Sequence, residues 1–251
     1  MELSQATVFV TGATSGIGEA CALRFAAEGA RLVLCGRREE RLASLGRRLR
    51  VPFHALVLDV RDRPAVERAV AELPEAFARV DVLVNNAGLA LGLEPAQRAD
   101  LDDWDQMILT NNRGLVVMTR LLLPGMVERG KGHVVNVGSV AANYPYPGGN
   151  VYGATKAFVH QFSLNLRADL VGTGVRVTCV EPGMTETEFS LVRLGDPEKA
   201  KAVYQGIAPL RAEDIADVVH WTVTRPAHVN VNTLELMPEA QAFSPFAVKR
   251  R

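Results

Sequence analysis

Short apolar runs rich in β-branched residues alternate along the chain with longer amphipathic stretches. The runs TVFVT, RLVLCG, FHALVLDV, VDVLVNN, GHVVNVGS and GVRVTCVEP each precede or follow a helical pattern, and a seventh, NTLELM, follows the helix-like RAEDIADVVHWTVT. Strands that are almost continuously apolar and separated by helices belong to a parallel sheet buried on both faces. The pattern predicts an α/β fold, a doubly wound parallel sheet of about seven strands with helices on both faces. No repeat or Pro/Gly/Ser-rich linker interrupts it, so residues 1–251 are expected to form a single domain.

Such sheets bind ligands at the carboxyl ends of their strands. The first end carries VTGATSGIGEA, in which Gly12, Gly16 and Gly18 bridge a strand to a helix. Glycines let a backbone turn tightly and approach a pyrophosphate, whose charge the helix N-terminus stabilises. Taken alone, the same glycines could simply shape a turn. The second end, in LCGRREE, places Arg37 and Arg38, and no acid, directly after Gly36. Arginines at this place suit a 2′-phosphate, so the cofactor expected is NADP, although the same residues could start a solvated basic helix. Asp59, closing LVLDV, is a candidate for the adenine amino group, with Val60 beside it; NNAG, residues 85–88, brings a side-chain amide and a glycine to the fourth end.

Composition narrows the partners. The chain has 28 basic and 28 acidic residues, so no overall field attracts nucleic acid or an anionic membrane, and a small-molecule substrate is expected. Cys21, Cys35 and Cys179 form no CxxC and suggest neither a disulfide framework nor a metal site; a cytoplasmic location fits them. Residues 1–11 lack the features of a signal peptide, and no apolar run reaches the length of a membrane span.

Together TGATSGIG, NNAG, Asn111 in LTNNRG, Ser139, and the pair Tyr152 and Lys156 in GGNVYGATKAFVHQFSLNL resemble the short-chain dehydrogenases/reductases, over nearly the whole chain. The resemblance implies a Rossmann-type fold and a catalytic set of Asn111, Ser139, Tyr152 and Lys156. It implies cofactor contacts from Thr14, Ser15 and Ile17 besides the glycines, from Asn86, Ala87 and Gly88, from Tyr152 and Lys156, and from Pro182, Gly183, Thr185 and Thr187 in EPGMTETEF. NNAGLALGLEPAQ, NNRGLVVMTR, PGMVERG and PAHVNVNTLELMP are similar to one branch, the NADP-dependent 3-hydroxy acid dehydrogenases, also described as serine or L-allo-threonine dehydrogenases. That branch implies oxidation of a β-hydroxyl in a short acid, or reduction of a semialdehyde such as malonic semialdehyde, by a homotetramer. The segment from Pro182 to about Gly206 is slightly shorter than the branch leads one to expect.

The chemistry also follows from residue properties. Taking a hydride from a carbinol requires a base for the hydroxyl proton, and a free tyrosine, with pKa near 10, is a poor one. Lowering it by about three units takes roughly 4 kcal/mol, about what a unit charge some 4 Å away supplies at an effective dielectric of about 20. Tyr152 and Lys156, four apart, share a helix face, so Lys156 can supply that charge, and an oxidised nicotinamide adds a second. Ser139 can hydrogen-bond the substrate oxygen, and Asn111 can hold a water linking Lys156 to solvent.

For the substrate's carboxylate the candidate is Arg193 in EFSLVRLGDPEKA, part of a covering segment at about 184–206, with Tyr146 and Leu91 as wall residues; each of these could instead be ordinary surface or packing. The histidines His54, His133, His160, His220 and His228 show no metal or dyad spacing and are taken as structural. The tail, 238–251, with two phenylalanines, is expected to pack on its own domain or on a neighbouring subunit. Two other readings compete with a 3-hydroxy acid dehydrogenase: a reductase of uncharged ketones and aldehydes, and a non-catalytic NADPH sensor, against which the intact Ser139, Tyr152 and Lys156 speak.

Overall fold

The computed structural model describes residues 2–243. The chain runs β1 (Thr7–Thr11), α1 (Gly16–Ala27), β2 (Arg31–Gly36), α2 (Glu39–Arg48), β3 (Phe53–Val57), α3 (Arg63–Ala71), the short α4 (Glu75–Ala78) and β4 (Val82–Asn85). Then come α5 (Leu101–Ile108), a π-helical turn (Leu109–Gly114), α6 (Leu115–Glu128), β5 (Gly132–Val137), α7 (Asn150–Asp169) and β6 (Val175–Pro182). The two-residue strands β7 (Thr185–Glu186) and β8 (Leu210–Arg211) enclose α8 (Phe189–Leu194) and α9 (Pro197–Ala202), and α10 (Ala212–Thr224) leads to β9 (Thr233–Leu236).

Seven strands form one parallel sheet in the order β3-β2-β1-β4-β5-β6-β9. Period-two alternation sends Val8, Val10, Leu32 and Leu34 to one face, against Phe25 of α1 and Ile215 and Val219 of α10. Phe9, Val33 and Leu83 face the other way, against Met118 and Met126 of α6 and Leu166 of α7. A strand buried on both sides has no polar face to show, which is why these runs read as continuously apolar. The edge strands are the exception: Phe53 and Val57 of β3 are exposed, and β9 has no fully buried residue. The β3 ladder ends at Val57; of Leu58–Val60, expected to continue the strand, Leu58 still donates its N–H to the Gly36 carbonyl at 2.9 Å, and Asp59 begins a turn closed by the Asp62 N–H.

The order reverses between β1 and β4, because the chain moves outward to β3 before crossing back. Loops at their carboxyl ends therefore splay apart and leave a crevice. The β7–β8 ladder pairs Thr185 with Leu210 and Glu186 with Arg211, so the helices between them form a closed excursion over that crevice. Among the described residues, no helix is long and apolar enough to cross a membrane. Cys21, Cys35 and Cys179 are free and buried. Residues 244–251 of the tail, with Phe246, lie outside the described residues.

Candidate active site

A cavity of about 730 Å³ follows the carboxyl ends of the strands from β2 to β6. One wall is the β1–α1 loop, with Gly12 at φ +66° and Gly16 at φ +53°. Behind it, a Cβ on Gly18 would lie 2.3 Å from the Gly12 carbonyl oxygen and 2.5 Å from Asn86 Nδ2. Asn86 Nδ2 donates to the carbonyls of Thr11 (3.0 Å) and Gly12 (3.2 Å), while Thr11 Oγ1 accepts the N–H groups of Asn86 and Ala87. These contacts lock NNAG to the glycine loop at a separation that only glycine permits. Ser15, the N-cap of α1, makes no capping bond, which leaves the first N–H groups of the helix beside Gly16 and Ile17 facing the cavity. The cradle fits the pyrophosphate of a dinucleotide.

At the end of β2, Arg37 is exposed and lines the cavity. Arg38 is pinned: it donates to Thr14 Oγ1 from Nε (3.1 Å) and Nη2 (2.9 Å) and to Ser15 Oγ (2.7 Å). Its Nη1 pairs with Glu188 Oε2 at 3.0 Å, and Arg41 pairs with the other oxygen at 2.5 Å. Asp59 and Val60 also line the cavity, but the Asp59 carboxylate is engaged by Arg61 through Nε and Nη2. Burial raises that carboxyl, yet the Arg61 hydrogen bonds and charge outweigh it and hold it below its ordinary value.

On α7, Tyr152 and Lys156 are buried one turn apart on one face. Ser139, at the end of β5, caps a short 3-10 turn by accepting from the Ala141 N–H. Lys156 Nζ donates to the Val137 carbonyl at 2.8 Å and lies 5.9 Å from the centre of the Tyr152 ring. The ionisations differ from the sequence expectation. Burial pushes the Tyr152 phenol up to about 12; Ser139 opposes this, Tyr146 adds to it, and the Arg193 charge opposes it. Burial also pulls the Lys156 ammonium down to about 8, against the pull of Cys179 and Glu181. Desolvation dominates both groups, and the lysine loses its charge before the phenol would ionise.

Asn111 sits in the π-helical turn and not in a regular helix. Its side chain accepts from the Leu89 N–H and donates to the Leu89 carbonyl and to Thr155 Oγ1, so its amide is committed to protein partners. It still borders the lysine: a Cβ on Gly88 would touch both Asn111 Oδ1, at 3.3 Å, and Lys156 Nζ, at 3.6 Å.

The covering segment brings Arg193 of α8 into the cavity. Its guanidinium donates to Tyr146 Oη at 2.7 Å and to the carbonyls of Gly92 and Gly148, and stands 5.4 Å from the centre of the Tyr152 ring. Tyr146 lines the cavity, as do Pro182, Gly183, Thr185 and Thr187. Leu91 does not: it packs in the hydrophobic cluster behind Tyr152, while Leu89 and Leu93 line the wall. From the tail, Gln241 accepts the Met184 N–H at 2.7 Å, and the Phe243 ring lies 4.5 Å from that of Tyr144.

Residues 6–193 match the short chain dehydrogenase family. The chain belongs to that family. Among its relatives, the NADP-dependent 3-hydroxy acid dehydrogenase YdfG of Salmonella typhi is 56% identical over 245 residues, 97% of this chain and 99% of that protein. Sulfoacetaldehyde reductase 2 of Chromohalobacter salexigens is 59% identical over 247 residues, 97% of this chain and 98% of that one. In solved structures, the closed form of serine dehydrogenase complexed with NADP+ superposes with a TM-score of 0.96 at 55% identity, covering 98% of this chain and 100% of that one.

Several neighbours of the site in this short-chain dehydrogenase escaped the sequence reading: Arg61 on Asp59, Glu188 on Arg38, Gln241 over Met184, and the pair His160 and Glu181 behind Lys156. The only signal available was helical spacing, which places His160 on the same face as Tyr152 and Lys156. The other histidine contacts are structural in kind; His133, for example, is fully buried against Thr178 Oγ1, and burial holds it well below its ordinary pKa. Among the described residues, His160, Cys179 and Glu181 bring metal-type ligand atoms within 4.8 Å of one another. They do not fit a metal: Nδ1 and Oε1 share a 2.7 Å hydrogen bond, and burial pushes the Cys179 thiol up to about 12, far from the thiolate a metal needs.

Proposed function

We propose that this enzyme uses NADP to interconvert the β-hydroxyl of short 3-hydroxy acids and the matching carbonyl, in the class of serine, L-allo-threonine and 3-hydroxypropionate/malonic semialdehyde. The observation that carries the reading is Arg193, a cation held beside Tyr152 where the far end of a three-carbon acid would lie. Its fork suits a carboxylate, and its fixed hydrogen bonds to Tyr146 and two carbonyls reduce the entropy lost on binding. Arg37 and Arg38 support NADP over NAD, in keeping with the cofactor named for the relatives.

Tyr152 Oη takes the hydroxyl proton and Ser139 orients the substrate oxygen. Bringing a phenol from about 12 to neutral pH requires roughly 7 kcal/mol, more than the roughly 4 kcal/mol of one unit charge 4 Å away. The Lys156 ammonium, 5.9 Å from the centre of the phenol ring, provides one positive charge. When bound, oxidised NADP supplies the second, together with the carbon that accepts the hydride. Asn111 fixes the Leu89 backbone and Thr155 beside the lysine. We also place the enzyme in the cytoplasm, on its isolated cysteines, and as a homotetramer, on its resemblance to the branch.

A second anion deserves inclusion, because one relative is named a sulfoacetaldehyde reductase. A sulfonate carries its charge at the same remove from the reacting carbon as a carboxylate does in malonic semialdehyde. The test is a panel of L-serine, L-allo-threonine, 3-hydroxypropionate, 2-hydroxyethanesulfonate and an uncharged alcohol of equal length, read by NADPH absorbance. The carboxylates should lead the alcohol by about 10- to 100-fold in kcat/KM, and Arg193→Ala should remove that lead through KM. An alcohol as good as the acids sinks the carboxylate reading, and a leading sulfonate moves the substrate class to sulfonates.

A further inference from the structure

Tyr152, Lys156 and His160 succeed one another at four-residue steps along one face of α7, and the third faces a carboxylate with no exposed surface. Glu181, near the end of β6, receives His160 Nδ1 at 2.7 Å on Oε1, with the Cys179 thiol at 3.6 Å on the same oxygen, and Asn143 Nδ2 at 3.0 Å on Oε2. It packs against the backbone beside the lysine: a Cβ on Gly138 would lie 3.0 Å from Glu181 Cγ, and the preceding residue, Val137, offers the carbonyl that holds Lys156 Nζ. A buried carboxylate needs cations facing it, and among the described residues no arginine pairs with this one.

We propose that Glu181 is a positioning residue for Lys156: its buried carboxylate, held by His160 and Asn143, is the counter-charge that keeps the lysine ammonium protonated at neutral pH. The surroundings leave few other sources of charge. Lys156 faces Tyr152 on its own helix, Cys179 and Glu181 from β6, the Val137 carbonyl from β5 and the neutral Asn111 across Gly88, while Arg193 reaches Tyr152 from α8. Cys179 stays a neutral thiol, which leaves Glu181 as the anion. Glu181 in turn faces His160 from α7 and, through the shared Asn143 amide, the Glu235 carboxylate, its register partner on β9, which Tyr144 also binds. A second carboxylate so near opposes the charge on Glu181, which the hydrogen bonds from His160 and Asn143 favour.

The inference rests on the proposed role of Lys156, but its test needs neither substrate nor cofactor. Carbon-13 labelled lysine reports the titration of each of the five lysines by NMR, with Lys156 assigned from Lys156→Arg. The Lys156 titration should fall by about one unit or more in Glu181→Gln and by less in Glu181→Asp. In turnover, Glu181→Gln should bring the alkaline limb of kcat/KM down with it, a change that loosened packing alone would not make. An unmoved Lys156 titration in folded Glu181→Gln overturns the proposal. Should that variant fail to fold, wild type decides: a carbon-13 labelled Glu181 carboxyl should be ionised at neutral pH and shift as Lys156 titrates, and a carboxyl neutral there overturns the proposal.

Discussion

The two ends of the cavity are positioned by different materials. At the cofactor end a close approach to main chain sets the geometry: the Gly12 carbonyl and Gly18, held by the Asn86 side-chain amide, meet at distances that exclude a Cβ. At the substrate end side chains do so, with Arg193 held by Tyr146 Oη, and Ser190 Oγ 2.6 Å from Tyr204 Oη, which donates to the Thr185 carbonyl. A backbone contact depends on the absence of a side chain and tolerates few changes. A side-chain contact can be re-aimed by one substitution, so the second end is where specificity can drift while the first stays fixed.

Substitutions at each end should separate along that line. The largest effect is expected from Tyr152→Phe: kcat falls by about 10²- to 10⁴-fold, while the dissociation constant for NADPH, followed by tryptophan fluorescence, changes by no more than about threefold. Equal loss of both would mean that the two ends are one unit. Gly18→Ala should act in the opposite sense. The added methyl meets backbone, so stability falls by about 1–3 kcal/mol, and the melting temperature by about 2–10 °C, with NADPH binding weakened as the loop shifts. An alanine variant that binds NADPH normally and melts with the wild type would break the contrast.

The smallest effect concerns Glu188, where the ends touch. Hydrogen bonds from Arg41 and then Arg38 hold its carboxyl below the ordinary value, so it is an anion beside the arginines assigned to the 2′-phosphate. Glu188→Gln should tighten NADPH by up to about fivefold, in line with an exposed ion pair, and leave NADH unchanged. Titration of both cofactors checks it; weaker NADPH binding would make Glu188 a support and not a competitor.

The difference between the ends also governs what could be read from the sequence. Glycine spacing announced the β1–α1 loop because the constraint is local, and the continuous apolar runs announced a sheet covered on both sides. The four-residue interval placed Tyr152 beside Lys156 for the same reason. Two-residue strands such as β7 and β8 are too short to carry a period, so the ladder that closes the excursion was invisible. His160 and Glu181 lie 21 residues apart, on a helix and a strand that only packing brings together. Arg61 reached Asp59 because the chain turns from Asp59 to Asp62, which the apolar run LVLDV does not announce. Desolvation was missed most completely, since the sequence gives a charge but not its surroundings; hence the phenol begins higher than a charge at 4 Å could correct.

The β7–β8 ladder makes the excursion an exchangeable cassette. Its two ends are already neighbours, joined at Thr185–Leu210 and Glu186–Arg211, so a graft between them would inherit a closed loop whatever its length within reason. The sheet, the glycine loop and the pair on α7 lie outside the transplanted segment, although Tyr152 would lose the Phe189 and Arg193 side chains beside its ring. Of the contacts described, the graft would have to restore two: a cation reaching Tyr146 from above, and an acid, or its deliberate omission, beside Arg38.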